Sequence, residues 1–343
     1  MINRIEPLSA SRTLVIILLL MSFMIACIGL GITFGSGNVT LWHLLPGSNA
    51  TEIEHAIIFE IRLPRVLIAG LLGGALAVAG VVFQALLRNP LADPYVLGVS
   101  GGASIGGVLA ILTGLVVTGT WFGSMVVPVC AFAGALGALF LIETIATIDG
   151  RLTVYTVLLT GVIFNAFAAA VIFFIESIAS LEQLHEIVFY LMGRVPSPGH
   201  KELVILGIAI IFVTMVLVSM CRDYNALSLG DESAMHLGVD VDRVKRRTFI
   251  LGSLLTAITV SVAGLIGFVG LVVPHMLRLV FGPDHRLLLP AAFFGGGGFL
   301  ILADMFARLI ISPNELPVGV VTALIGGPCF LYLLHTRSKS YDH

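Results

Sequence analysis

The sequence predicts an all-α polytopic membrane protein of about ten spanning helices. Three observations carry that prediction. Hydrophobic residues make up 58% of the 343-residue chain and charged residues only 11%, against roughly 25% charged in a soluble domain. Mean hydropathy is +1.07. Apolar runs of about 20 residues, long enough to cross a hydrocarbon core, recur between short polar turns. The net charge of −2 implies no nucleic-acid partner. Cys27, Cys130, Cys221 and Cys329 lie in or beside apolar segments with no metal-site spacing, so no metal or cofactor is expected.

The first run, about 14–34, follows Arg4 and Arg12. It is long for a cleavable leader and Cys27 sits in its middle, so it reads as a span. Arg62-Leu63-Pro64-Arg65 opens the second span, which runs to about Leu87 with small residues at helical spacing: Ala69, Gly73 and Ala77, beside Gly70 and Gly74. Such residues let helix backbones approach closely. Arg88-Asn89-Pro90-Leu91-Ala92-Asp93-Pro94 ends it, because two prolines in five residues forbid a continuous helix. A third span starts near Val96, with Gly98, Gly102 and Gly106 four residues apart. Further spans fall at about 122–143 and 154–175, the latter holding Asn165. Residues 177–195 are amphipathic and too polar to span, with Ile178, Leu181, Leu184, Val188 and Leu191 on one face. They are expected to lie in the external interface. The remaining spans fall at about 203–221, 248–263, 265–281, 288–306 and 318–335.

The densest charge lies between Arg222 and Arg247, where Asp223, Asp231, Glu232, Asp240, Asp242, Arg243, Lys245 and Arg246 also fall. Such a block cannot lie in hydrocarbon. Ser228 and Asp231 form an S-x-x-D helix-start signal, with Asp231 expected to cap. Gly238 is placed to end that helix. Asp240 or Asp242 then starts a second short helix through Lys245. Two capped helices in one loop predict a surface made to be gripped; a plain solvated hairpin is the competing reading. An even number of spans puts both termini on one side. With the N-terminus inside, this loop, Arg4, Arg12, Arg88, Arg151, Arg278, Arg286, Arg337 and Lys339 are internal. Only Arg62, Arg65, Arg194, Lys201 and Arg308 are external, so the loop is expected to be cytoplasmic.

No P-loop, H-E-x-x-H or nucleophile elbow occurs, so no catalytic residue is expected. Gly101-Gly102 and Gly295–Gly298 read as helix-packing surfaces. Carboxylates within spans are scarce: Glu143 sits near a span end, and Asp304 lies four residues before Arg308, the favourable order for a helical ion pair. That scarcity argues against ion coupling. Asn165 is the clearest polar group inside a span, either a helix–helix hydrogen bond or a contact on a translocation path. Energy for transport would have to enter from another subunit at the cytoplasmic loop.

Five stretches, in order, resemble the membrane-spanning permease subunits of type II ABC importers. They are Ile61–Arg65, Gln84–Gly98, Leu229–Gly238, Gly267–His275 followed by Asp284-His285-Arg286, and Glu315–Thr322. The resemblance implies one permease domain over 1–343 in the bacterial inner membrane, with ten helices per subunit. It also implies a homodimer around the translocation path, carrying an iron chelate, haem or vitamin B12. Separate ATPase subunits would dock on the loop residues Leu229, Gly230, Asp231, Glu232, Ser233, Ala234, Leu237 and Gly238. A periplasmic or lipid-anchored binding protein would meet Arg62, Arg65 and Arg308. Met235-His236 departs from the polar residues usual there. The competing readings are an ion-coupled secondary transporter, or a receptor or structural membrane protein that transports nothing.

Overall fold

The computed structural model describes residues 10–35, 51–114 and 121–341. Arg4 and residues 342–343, which bear on the termini, lie outside the described residues. The helices are α1 (Ala10–Thr33), α2 (Glu52–Ala56), α3 (Leu63–Leu86), α4 (Val99–Leu112), α5 (Trp121–Ala146), α6 (Val154–Ile178), α7 (Leu181–Leu191), α8 (His200–Ser219), α9 (Cys221–Leu227), α10 (Asp231–His236), α11 (Val241–Ala263), α12 (Val269–Phe281), α13 (His285–Leu309) and α14 (Val318–Tyr341). A π-helical turn, Ile57–Arg62, joins α2 to α3, and a 3-10 turn, Pro94–Leu97, precedes α4. Among the described residues, seven helical runs are long and apolar enough to cross a membrane. Three other expected spans fall on the shorter apolar helices α4, α12 and the first part of α14.

The bundle is built around α3. Its residues from Ile68 to Phe83 are almost all buried, on every side of the helix. Small side chains make this possible, because neighbouring backbones come within contact distance. A Cβ on Gly73 would stand 2.3 Å from Gly296 O of α13, and one on Gly80 would stand 1.8 Å from Gly270 O of α12. A second pair, α4 and α5, repeats the device: a Cβ on Gly102 meets Gly134 O at 2.5 Å and one on Gly106 meets Cys130 O at 2.1 Å. The glycine rows read as packing surfaces are therefore packing surfaces.

Several boundaries depart from the sequence expectation. The segment before Arg62, to which the sequence assigned no element, is helical: Thr51 and Glu54 form a capping box, and the helix runs from Glu52 through the π turn into α3. The third span does not start at Val96. Asp93 accepts from Tyr95 N at 2.8 Å and caps the 3-10 turn, and Gly98 takes φ +86 before α4 begins. Gly98 is thus a left-handed hinge, whereas Gly102 and Gly106 are contact residues. The turn after α5 is a two-residue ribbon, β1 (Thr147–Ile148) with β2 (Arg151–Leu152). Asp149 and Gly150 both have positive φ, as a hairpin turn of that length requires. The amphipathic segment is shorter and turned: Ser180 and Gln183 form a capping box for α7, and Ile187, not the Ile178–Leu181 row, is the buried residue. Leu181 and Ile178 are exposed, because the packed face follows Ile187 and Tyr190 onto α4.

Candidate functional site

The polar loop folds into α9, α10 and the first two turns of α11. The expected second short helix does not exist by itself. Asp240 caps α11, accepting from Arg243 N at 3.1 Å, and that helix continues unbroken to Ala263. The expected Ser228–Asp231 start is also replaced. Ser228 Oγ donates to Asn225 O at 2.6 Å, and the residue before α10 is Gly230, with no side-chain cap. Asp231 is the first residue of α10. Its carboxylate is drawn to two cations, Arg88 on the α3–α4 connection and Lys245 of α11 at 2.5 Å. Asp231 faces those two cations and does not turn back to cap the helix.

Gly238 ends α10 as expected. Its φ is +85, its N–H donates to Met235 O at 2.9 Å, and Val239 N donates to Ala234 O at 3.0 Å. That pair of bonds is a Schellman closure. Nothing lies within 4 Å of a Cβ at Gly238, so a side chain there meets only backbone strain. Gly238→Val is expected to destabilise the end of α10 by about 1–2 kcal/mol. Hydrogen exchange should quicken at 237–239 while the thermal midpoint of the bundle barely moves.

Beneath α10 the loop is braced. Ala234 is fully buried and Tyr224 of α9 is fully buried. Tyr224 Oη lies 3.2 Å from Thr248 Oγ1, which donates to Val244 O at 2.7 Å. Burial pushes the Tyr224 phenol above its usual range, so it stays neutral. Arg246 pairs with Glu143 of α5 at 2.6 Å and Arg151 with Asp242 at 3.6 Å. The outer side carries three large apolar side chains in a polar surrounding: Leu229, Met235 and Leu237, exposed by 65%, 56% and 64%. Exposed Glu232, Ser233 and His236 lie between them.

At the opposite end of α3 and α13 lies an ion cluster. Asp304 Oδ1 accepts from Arg65 Nη2 at 2.9 Å, and Asp304 Oδ2 accepts from Arg308 Nε at 3.0 Å. Arg65 also reaches Glu315 at 2.8 Å. Arg308 donates to Gly31 O at 3.0 Å and Phe34 O at 3.3 Å, and Arg62 donates to Ile32 O at 3.0 Å. Those carbonyls end α1, where cations are favoured. Arg62 and Arg308 are 4% and 3% exposed. The three arginines expected to meet a binding protein are each engaged within their own chain.

Asn165 Nδ2 donates to Tyr95 O at 2.8 Å, so it joins α6 to the 3-10 turn. Tyr95 Oη in turn bonds both Ile266 O at 2.8 Å and Ile266 N at 2.9 Å, in the break between α11 and α12. Sequence reasoning missed Arg88 and Lys245 as the partners of Asp231. It also missed Asn225, whose side chain bonds Asp284 and His285. Two clefts of about 420 Å³ flank α7, one beside Tyr190 and Arg194, the other lined by Leu191, Met192, Leu265, Val320 and Leu324.

The FecCD transport family matches residues 17–336. The chain is 40% identical over 324 residues to an uncharacterized ABC transporter permease protein of Bacillus subtilis, covering 91% of each. It is 44% identical over 287 residues to the cobalamin import system permease of Halobacterium salinarum, covering 83% of this chain and 75% of that one. It is 36% identical over 335 residues to the hemin transport system permease of Yersinia pestis, covering 97% of each. A solved structure described as an inward-facing metal-chelate type ABC transporter superposes with a TM-score of 0.80 at 29% identity, covering 94% of this chain and 99% of that one. The chain belongs to the FecCD transport family.

Proposed function

We propose that this chain is the permease subunit of an ABC importer that takes vitamin B12, haem or a ferric siderophore across the bacterial inner membrane. The observation that carries the reading is the braced loop with Leu229, Met235 and Leu237 held outward. Its chemistry suits a cleft on a separate ATPase subunit, and the chain itself performs no hydrolysis. The cobalamin and hemin relatives support the substrate class. Residues 1–343 form one domain with ten spans, both termini and the loop being cytoplasmic by the positive-inside rule.

Two copies form a homodimer around the path. We place the path beside α7 and α14, where the second cleft is apolar and weakly adhesive. Asn165 belongs to the support of the 3-10 turn, since its amide already serves Tyr95. An extracytoplasmic binding protein docks at the ion-cluster end. There Arg65 and Glu315 form the rim, and Arg62 and Arg308 act by fixing the end of α1. The ion-coupled alternative is disfavoured because Asp304, the buried carboxylate among the described residues, is held by two arginines.

Affinity purification of the tagged chain from its own membranes should bring down an ATPase subunit and ATP hydrolysis that a substrate-loaded binding protein accelerates. In a variant with all four native cysteines replaced, Ser233→Cys should label only after the membrane is permeabilised. Recovery of the chain alone, or labelling of Ser233→Cys in intact cells, would refute the reading.

A further inference from the structure

Beyond the Tyr224–Thr248 brace and the Arg246–Glu143 and Arg151–Asp242 pairs, two further links join the gripping surface to the membrane helices. One is electrostatic: Asp231 to Arg88 and Lys245, whose side chains are 36%, 43% and 15% exposed. The Arg88 pair, exposed at both ends, contributes little and is screened by salt, and a point charge such as the Lys245 ammonium sets little direction. The other is a knot of directional hydrogen bonds made by one half-buried side chain, Asn225 of α9.

The Asn225 amide makes three contacts at the start of α13. Its Nδ2 donates to Asp284 Oδ1 at 2.8 Å. Its Oδ1 accepts from His285 N at 2.9 Å and lies 2.8 Å from His285 Nδ1. Since Nδ1 faces an acceptor, it carries the ring proton. Asp284 Oδ1 also accepts from Arg286 N at 2.9 Å and is the cap of α13. The first N–H groups of a helix have no partner within it. Here the cap residue supplies one acceptor and another helix, α9, supplies the next. His285 is 4% exposed and its ring packs 5.7 Å from Tyr224.

The first turn of α13 depends on this knot. Pro290 lies within the helix and has no N–H to give to Arg286 O, so the first turn lacks one of its bonds to the rest. Beyond Pro290, α13 runs without a break to Leu309. It lies in backbone contact with α3, where a Cβ on Gly296 would stand 2.5 Å from Gly73 O. About 30 Å from His285, at ~1.5 Å rise per residue, the same helix carries Asp304 and Arg308, which pin α1 and α3.

We propose that Asn225 is a positioning residue that clamps the loop to α13, so that docking at the ion-cluster end and docking at the loop are coupled through one helix. The inference rests on the importer reading given above.

The test uses the complex that co-purifies with the tagged chain, with its own binding protein added back. Asn225→Asp is isosteric but sets a carboxylate against Asp284, which repels it. It should leave assembly intact and the basal ATPase rate within about twofold, while stimulation by the binding protein falls at least tenfold. Asn225→Asp combined with Asp284→Asn removes the repulsion and returns an amide–carboxylate pair; it should recover stimulation in part, since the amide that donates to residue 225 no longer accepts from Arg286 N. A purely packing role predicts no such rescue. Should Asn225→Asp not accumulate, Asn225→Ala gives the same readout without an added charge. Undiminished stimulation in the single variant, or no recovery in the exchanged pair, overturns the clamp alone. A wild-type chain that recruits no ATPase overturns it together with the importer reading.

Discussion

Gly80→Val is expected to prevent the bundle from assembling. The position is helical with ordinary negative φ, so backbone freedom is not at issue; space is. A Cβ there would lie 1.8 Å from Gly270 O, 2.6 Å from its carbonyl carbon and 2.8 Å from its Cα. Each of those atoms is main chain, and none can turn aside as a side chain does. The partner face is equally closed, since a Cβ on Gly270 would stand 2.9 Å from Leu76 O and 2.7 Å from Pro94 Cγ. Overfilling a core typically costs about 1–3 kcal/mol where neighbours relax. Here α12 would have to leave α3, and an opening of ~1 Å forfeits a large part of the dispersion along the whole contact. The effect should exceed the upper end of that range. The measurement is the yield of monodisperse protein extracted from membranes, with Gly137→Ala of α5 as control, because nothing lies within 4 Å of a Cβ there. Gly80→Val should be lost and Gly137→Ala retained. Equal yields would mean that the α3–α12 crossing is looser than described.

This sensitivity was partly legible in the sequence. Small residues at helical spacing in the second span announced a helix approached closely by its neighbours, and the Gly295–Gly298 run supplied the other side. The same spacing misled at Gly98, which resembles Gly102 and Gly106 in sequence but is a hinge in the chain. Spacing records which residues share a face; it does not record φ. The loop shows the limit of local signals more sharply. Gly238 was readable because a Schellman closure is built from six consecutive residues and needs a glycine at one place. The Ser228–Asp231 start failed because Asp231 is claimed by Arg88, 143 residues away in sequence. Asn225 was invisible for a related reason: a neutral amide among charges, whose partners lie 59 and 60 residues on. At the other end, the sequence identified Asp304 and Arg308 as an i,i+4 pair, which the structure shows. It could not add Arg65, 239 residues from Asp304, and so left the arginines facing outward.

That added partner makes Asp304→Ala the second large effect. Asp304 is 1% exposed and serves Arg65 and Arg308, whose side chains are 12% and 3% exposed. Removing the carboxylate leaves Arg308 with only the carbonyls of Gly31 and Phe34, and Arg65 with only Glu315, itself 33% exposed. Stripping one partner from a buried ion pair costs about 3–5 kcal/mol, because the remaining charge stays desolvated. Little solvent screening offsets this at such low exposure. Deleting the stranded charge as well should recover part of the loss. Asp304→Ala with Arg308→Met is therefore expected to be more stable than Asp304→Ala alone. Recovery should be incomplete, since the methionine cannot replace the hydrogen bonds that hold the end of α1 to α13. The readout is the thermal midpoint of the detergent-solubilised protein, expected in the order wild type, double variant, single variant. Hydrogen exchange at the end of α1 should rise in both variants and most in the double, where the Arg308 bonds to Gly31 and Phe34 are gone. If the single variant melted with wild type, the cluster would be solvated in the working protein. Arg308 would then be available to a docking partner after all, as its sequence neighbourhood first suggested.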